Sequence, residues 1–175
     1  MAWALLAYPD MPASFRLGLV NIIFDEQRHL KLYADRIEDL GSELGALPVN
    51  DHFWRVAESL TDPLKWVCAM NLTFEQANLD FAPIYGRHFA QVGDARTAQI
   101  MDVIAKDEEM HVGFGARYLR ESTPDGESSF DVYLENLTFY NSPDRARGDE
   151  FHVDARSRAG LDDDFIQRMR TWQKA

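Results

Sequence analysis

The feature that most constrains this chain is a five-residue motif that occurs twice. Residues 25–29 read DEQRH and residues 107–111 read DEEMH, so both copies have the pattern Asp-Glu-x-x-His. Residues three apart lie on one face of a helix, which lets the carboxylate and the imidazole of each copy reach the same metal ion. A lone Glu-x-x-His is usually a solvated helix face. Two copies on apolar helix stripes instead predict a metal site, because buried charges are costly unless paired or metal-bound.

The apolar residues around both copies repeat at helical spacing and predict two long helices. The first is predicted over residues 14–40, from the capping Ser14 to Gly41, and the second over residues 95–121, after a Gly-Asp turn. The apolar positions of the two predicted inner stripes are Leu19, Ile22, Ile23, Leu30, Tyr33, Ile37 and Leu40 on the first helix and Met101, Ile104, Val112, Gly115, Tyr118 and Leu119 on the second. Both motif copies are therefore predicted to face the interior of a helical bundle.

A third helix is predicted between the two that carry the motif. Pro63 fits the first turn of a helix, and Pro83 predicts a break or kink, followed by a short helix over residues 84–92. Glu75 lies among apolar residues of this helix. A ferritin-like di-metal bundle takes one Glu-x-x-His from each of two helices and a lone Glu from each of the other two. Glu75 is thus the predicted ligand of the third helix; the alternative is a polar residue at a helix edge.

The predicted metal ligands share a buried position and a carboxylate or imidazole group: they are Glu26, His29, Glu75, Glu108 and His111. Such ligands with open positions favour two iron ions, or one iron and one manganese. Asp25, Asp107 and Glu109 lie off the stripes, and we expect them to be solvated or to support the ligands.

The rest of the chain predicts an all-α protein. Short helices are expected over residues 130–139 and 162–172, with the polar residues 141–158 wrapped over the surface between them. No segment alternates apolar and polar residues as a strand does. We expect one domain over residues 1–175, a ferritin-like four-helix bundle with an incomplete first helix. Its core bundle covers about residues 1–121, and a C-terminal helical extension covers about residues 122–175.

Composition narrows the class of protein. Of the 175 residues, 46% are hydrophobic, and the net charge of −11 disfavours binding to nucleic acid or to an anionic membrane. The single cysteine, Cys68, excludes an internal disulfide framework or a four-cysteine metal site within one chain. No apolar run approaches the roughly 20 residues of a membrane span, and the first residues lack the pattern of a signal peptide. These features predict a cytoplasmic location.

Four segments resemble a bacterial ferritin-like family known only as a domain of unknown function: MAWALLAYPDMPASFRLGLVNIIFDEQRHLKLYADRIEDLG, LTFEQANLDFAP, GDARTAQIMDVIAKDEEMHV and FHVDARSRAGL. The resemblance covers nearly the whole chain. It implies a place in the di-iron carboxylate superfamily and matches the five predicted ligands to metal positions of the family. It further implies that Glu26 and Glu108 bridge the two metals and that Glu75 is a terminal ligand.

The first helix departs from the pattern of that family. Family members carry an acid there, whereas residues 1–8 contain none. Because paired antiparallel helices advance at the same 1.5 Å per residue, the acid opposite Glu26 falls upstream of Met1. Two expectations stay open: the start of the chain is truncated or misplaced, or the site works with five ligands.

Three classes of function are compatible with these residues. The first is a dioxygen-dependent oxidoreductase or hydroxylase with a di-iron centre and an unknown small-molecule substrate. The sequence shows no dinucleotide-binding fingerprint, so its electrons are expected from an external donor. A transfer-RNA hydroxylase is a variant that the net charge of −11 disfavours. The second class is a metal-binding or storage protein, and the third is a helical interaction module whose metal site is degenerate.

The short first helix also predicts an assembly. Residues 1–8 are too few to cover the apolar stripe of the first long helix, and exposed apolar surface of that extent usually finds a partner. We expect a homodimer, or a higher assembly, in which a second chain packs over the gap beside Glu26. In the alternative, the C-terminal segment folds back over the gap through residues 130–139 or 165–172.

Overall fold

A computed structural model describes residues 1–57, 59–138 and 141–173, and every regular element in these ranges is a helix. The α-helices are α1 (Ala2–Ala7), α2 (Ala13–Asp39), α3 (His52–Ala57), α4 (Pro63–Ala69), α5 (Gln76–Gln91), α6 (Ala95–Ser122), α7 (Ser129–Glu135), α8 (Val153–Arg158) and α9 (Asp163–Thr171). A π-helical segment (Met70–Glu75) joins α4 to α5, and a 3₁₀ turn (Pro143–Ala146) precedes α8. The predicted all-α class is confirmed. Position 139, at the end of one predicted helix, lies outside the described residues.

Within the described part of the chain, no helix is both long enough and apolar enough to cross a membrane.

Residues 63–91 form one continuous helical rod from α4 through the π-helical segment to the end of α5. Of the predicted break or kink at Pro83, the break is wrong, and so is a separate helix over residues 84–92, because α5 runs through this residue. A proline inside a helix removes one backbone hydrogen bond. Here Leu79, Ala82 and Gly86 are buried on the side of α5 that packs along α6. The packing of that face outweighs the lost bond.

The predicted N-terminal ends of α4 and α6 are confirmed by the capping residues found there. The Asp62 side chain accepts a hydrogen bond from the backbone N–H of Lys65, with Pro63 in the first turn. The Asp94 side chain accepts one from the backbone N–H of Thr97. In each case a carboxylate satisfies an N–H group that has no partner within the helix. These caps fix where the rod and α6 begin.

One hydrophobic core contains residues from the long helices and from the C-terminal segment. Leu19 of α2, Leu72 of the rod and Val112 of α6 belong to the same cluster of buried residues as Phe130 of α7 and Phe165 of α9. The C-terminal helices thus pack on α6 and on the rod through shared apolar contacts.

A buried ion pair fastens the C-terminal segment to the rod. Both terminal nitrogens of Arg156 donate to the Asp80 carboxylate, at 2.8 and 2.9 Å, and both side chains are fully buried. Asp80 also accepts from the backbone N–H groups of Gly148 and His152, at 2.9 and 2.8 Å. The prediction that residues 141–158 only wrap the surface is therefore incomplete. A buried charge pair with this many hydrogen bonds is costly to break on one side.

Part of the predicted inner stripe of α2 lies on the surface instead. Leu19 and Ile22 are buried, but Leu30, Tyr33 and Leu40 are 55%, 42% and 63% exposed. The reason is that α2 packs mainly against α6 and α1, while α7 and α9 pack against α6, α8 and each other rather than along α2. The expected homodimer stays a prediction.

Arg156→Ala is expected to lower the free energy of unfolding by about 3–5 kcal/mol, because it leaves the Asp80 carboxylate buried and unpaired. Urea unfolding followed by circular dichroism measures this loss. Lys31→Ala is the control, since it breaks an exposed pair with Asp35 and should leave the unfolding midpoint nearly unchanged. Equal losses from the two substitutions would contradict the anchoring role of the buried pair.

Candidate metal centre

The two copies of the motif face each other across the interface of α2 and α6. The imidazole rings of His29 and His111 lie with their centroids 5.9 Å apart, and both side chains are buried. Since 82 positions separate the two residues in the sequence, only the packing of the two helices brings them together. The prediction that both imidazoles face the interior is confirmed.

Three carboxylates from three helical elements converge on the Nδ1 atom of His111. The nearest oxygens are those of Glu108 on α6 at 3.2 Å, Glu26 on α2 at 3.5 Å and Glu75 at the end of the π-helical segment at 3.9 Å. Each of these four residues offers a ligand atom, and the four atoms all lie within 4.8 Å of one another. This cluster is a group of side chains that could hold a metal ion.

His29, the fifth predicted ligand, lies at the edge of the cluster. Its Nδ1 atom is 3.7 Å from a carboxylate oxygen of Glu26, and it does not belong to the group of four. Glu26 is therefore the member of the cluster that contacts His29. The structure thus brings four of the predicted ligands into one group and places the fifth beside it.

The aspartate of each motif copy contacts the histidine of the other copy. Asp107 lies 2.9 Å from Nε2 of His29, and Asp25 lies 3.3 Å from Nε2 of His111. Arg28 donates to both aspartates at 2.8 Å. A carboxylate on one ring nitrogen fixes the orientation and the tautomer of a metal-binding histidine. Both Nδ1 atoms are therefore left to face the carboxylates of the cluster.

These contacts show the role of the residues that lie off the predicted stripes. Asp25 and Asp107 were expected either to be solvated or to support the ligands, and they support the histidines. The contacts of Arg28 were not predicted. The signal in the sequence was the aspartate that precedes the glutamate in both copies. For Asp25, burial opposes ionisation, but the hydrogen bonds with Arg28 and His111 prevail and lower its pKa.

Glu75 owes its position to the π-helical segment that it ends. π-helical turns are rare and occur often at functional sites. Within the segment, the Thr73 hydroxyl donates to the carbonyl oxygen of Cys68 at 2.7 Å. On α6, a Cβ added at Gly115 would lie 2.7 Å from the Cβ of Asn71, so the two elements approach closely here. Apolar spacing predicts a helix at this point but does not distinguish its π form from the α form.

Side-chain amides of the rod, also not predicted, hold two of the carboxylates. The Asn71 Nδ2 atom donates to Glu75 at 2.5 Å, and the Asn78 Nδ2 atom donates to Glu108 at 2.9 Å. Both amides lie on the rod face of Glu75, four residues before it and three after it. This helical spacing is the feature of the sequence that could have predicted that both amides lie near Glu75.

The cluster concentrates three carboxylates around one imidazole, and this crowding changes the pKa values of its groups. Burial and the nearby Glu108 carboxylate raise the pKa of Glu75 to about 8. For His111, burial opposes the charged form, but the hydrogen bond with Glu108 and the surrounding carboxylates raise its pKa to about 9. Among the described residues, the ion pairs of these carboxylates are made with imidazoles alone. The metal-free cluster therefore holds protons that a bound divalent cation would displace, and carboxylates with imidazoles suit iron or manganese.

One side of the cluster is only partly covered by helices, and the cluster is open to solvent there. The predicted burial is wrong for Glu26, whose side chain is 44% exposed because α2 is only partly covered there, whereas those of Glu75 and Glu108 are 11% and 4% exposed. Glu26 lies on α2, the helix whose apolar residues are uncovered nearby. A small molecule can approach the cluster most directly past Glu26.

Glu108→Ala is expected to abolish or strongly weaken metal binding, because it removes a carboxylate that lies 3.2 Å from His111. Glu109→Ala is the matched control: the neighbouring Glu109 pairs with Arg158 at 2.5 and 2.9 Å instead. Isothermal titration of both variants with Fe²⁺ under anaerobic conditions provides the comparison. Equal losses of affinity would show that the wrong face of α6 has been identified.

Raising the pH is expected to destabilise the metal-free protein. In the folded state the pKa of His111 is raised from 6.5 to about 9 and that of Glu75 from 4.5 to about 8. The folded state thus holds protons that the unfolded chain has released, and its stability falls as the pH rises between 6.5 and 8. The contribution of His111 is fully present below 6.5 and is lost as the pH approaches 9.

Urea unfolding in the presence of a chelator, repeated across this pH window, measures the effect. Glu75→Gln is the control variant and should reduce the slope, because its amide does not titrate. A metal-free wild-type protein that becomes more stable over the same window would refute the prediction.

Comparison with known proteins gives a family but no activity. No curated protein and no solved structure matches the chain. A family profile described as "Protein of unknown function (DUF455)" matches residues 1–167, a range that includes both motif copies and Glu75. The resemblance noted from the sequence is thus confirmed as a family of unknown function, while its ferritin-like placement stays a prediction. The chain belongs to the DUF455 family.

Proposed function

We propose that this chain is a ferritin-like di-metal carboxylate protein that oxidises or hydroxylates a small molecule with dioxygen. The observation that carries the proposal is the meeting of two Glu-x-x-His copies with Glu75, a buried glutamate of the rod. Glu26, Glu75, Glu108 and His111 supply ligand atoms within 4.8 Å of one another, and His29 lies at the edge of the group. Ferritin-like di-iron bundles use these donors together with one more glutamate from the remaining helix, an acid that residues 1–8 do not contain.

The helical packing supports a bundle of this kind. The rod, α2 and α6 each contribute a side of the cluster, and α1 packs against α2. The indole of Trp3 on α1 stacks on that of Trp66 on the rod, with ring centroids 5.3 Å apart. In this proposal α1 takes the fourth position of the bundle, which contributes packing but no acid.

The five side chains would hold two iron ions, or one iron and one manganese. Each Glu-x-x-His copy would supply one glutamate and one histidine to the ions, and Glu75 would be a further ligand; the family resemblance implies that Glu26 and Glu108 would be the shared ligands and Glu75 a terminal one. Two iron ions supply the capacity to bind dioxygen, reduce it and oxidise a substrate. Electrons would come from a separate donor protein.

The residues of the chain prepare the site for this chemistry. Asp25 and Asp107 hold the Nε2 side of the imidazoles, which leaves both Nδ1 atoms directed at the carboxylates. Metal binding displaces the protons held by Glu75 and His111, so it releases acid and becomes tighter as the pH rises. The half-exposed Glu26 marks the side from which a substrate would approach.

A metal-binding or storage protein is the second candidate. The exposure of Glu26 favours it, because a ligand in contact with water lets metal ions exchange with the solution. The third possibility, a helical interaction module with a degenerate site, agrees with the exposed apolar residues of α2 but leaves the buried carboxylates without a role.

Anaerobic reconstitution with Fe²⁺ separates these functions. We expect two iron ions per chain by elemental analysis, and a near-ultraviolet absorption band of an oxo-bridged pair after exposure to air. The wild-type protein is compared with Glu108→Ala, which should fail in both measurements. Stable iron binding without a reaction with dioxygen would favour storage, and absence of bound iron would favour the interaction module.

A further inference from the structure

Asn71 is fully buried beside the candidate metal centre and uses its amide nitrogen twice. Nδ2 donates to the Oε2 atom of Glu75 at 2.5 Å and to the backbone carbonyl oxygen of His111 at 3.3 Å. The two N–H groups of one amide thus connect a ligand on the rod to the main chain of a ligand on α6. The contact occurs where Gly115 allows the two elements to approach closely.

The hydrogen bond to Glu75 leaves its two oxygens in different situations. Oε2 is engaged by the amide, whereas Oε1 lies 3.9 Å from the Nδ1 atom of His111, toward the centre of the cluster. An amide N–H group donates a hydrogen bond and has no lone pair for a metal. Asn71 therefore directs the carboxylate without competing for the ion.

The rest of the Asn71 side chain offers no other reason for an amide at this position. Its Oδ1 atom is buried and has no hydrogen-bond partner among the described residues. Burying an unsatisfied carbonyl oxygen destabilises the fold, and an apolar side chain of similar volume would avoid that cost. The useful contacts of the amide are those that its nitrogen makes with Glu75 and with the main chain of His111.

We propose that Asn71 is a positioning residue that makes Glu75 a terminal ligand binding metal through the single oxygen Oε1. The inference rests on the proposed metal centre and adds to it the residue that sets the binding mode of one ligand. Without the amide, Glu75 is free to rotate or to bind with both oxygens, and the rod loses a connection to α6 beside His111.

The test uses Co²⁺ as a spectroscopic probe bound to the full chain. Asn71→Leu keeps the side-chain volume and removes the donor. It should weaken Co²⁺ binding about tenfold to hundredfold, the usual effect of removing a group that orients a metal ligand. It should also change the intensity of the visible Co²⁺ bands, which report the coordination number. If the Asn71→Leu variant does not fold, Asn71→Ser is used in its place, and the same loss of Co²⁺ affinity is expected.

Thr73→Val is the matched control. Thr73 lies in the same π-helical segment and is equally buried, but its hydroxyl contacts the carbonyl of Cys68 and the hydroxyl of Tyr133 rather than a ligand. Its substitution removes a buried polar group near the site and should leave the affinity and the spectrum of Co²⁺ unchanged. A loss shared by both variants would mean a general effect on folding and would overturn the proposal.

A double-mutant cycle with Glu75→Gln identifies the route of the effect. If Asn71 acts through the carboxylate of Glu75, Asn71→Leu causes little further loss of Co²⁺ affinity once Glu75 has been replaced. A full additional loss in that background would overturn the proposal while leaving the metal centre intact. A wild-type protein that binds no Co²⁺ would instead overturn the proposed function, and this inference with it.

Discussion

Three carboxylates lie around one imidazole nitrogen, and the helices that carry them have to pack together in spite of this concentrated charge. Glu26, Glu75 and Glu108 come from three helical elements and meet within 4 Å of the Nδ1 atom of His111. Such a group is costly to bury as bare charge. Burial and the neighbouring carboxylates raise the pKa of Glu75, and the carboxylates raise that of His111 against the effect of burial, so the metal-free cluster retains protons. A bound divalent cation would supply the positive charge that these carboxylates lack, and the four residues lie close enough together to hold one.

The remainder of the molecule holds these three elements in place. Arg28 and the two motif aspartates connect α2 to α6 on the side of the imidazoles that faces away from the carboxylates. The buried pair of Asp80 and Arg156 fastens the C-terminal segment against the rod. The contacts of Arg28 and the aspartates thus limit how far α6 can move relative to α2, and the buried pair limits how far the C-terminal segment can move from the rod. A site built on such fixed elements is suited to a defined ligand geometry.

The sequence predicted the parts of the site that depend on local periodicity. Spacing of three residues on a helix places a glutamate and a histidine together, so the two motif copies and the helices that carry them were predictable. Other features depend on contacts between segments distant in sequence. The continuation of α5 through Pro83, the exposure of Leu30, the burial of Arg156 and the π-helical turn before Glu75 all follow from packing against other elements. No pattern within a single helix encodes them.

Anomalous X-ray diffraction tests most directly whether the cluster holds two iron ions. It uses crystals of the protein loaded anaerobically with Fe²⁺, with data collected on both sides of the iron absorption edge. We expect two iron peaks about 3.5–4 Å apart, the usual spacing in two-metal sites, between Glu26, Glu75, Glu108 and the two motif histidines. Glu75 should contact iron through one oxygen. An absence of iron peaks at this cluster, with iron bound elsewhere or not at all, would contradict the central claim.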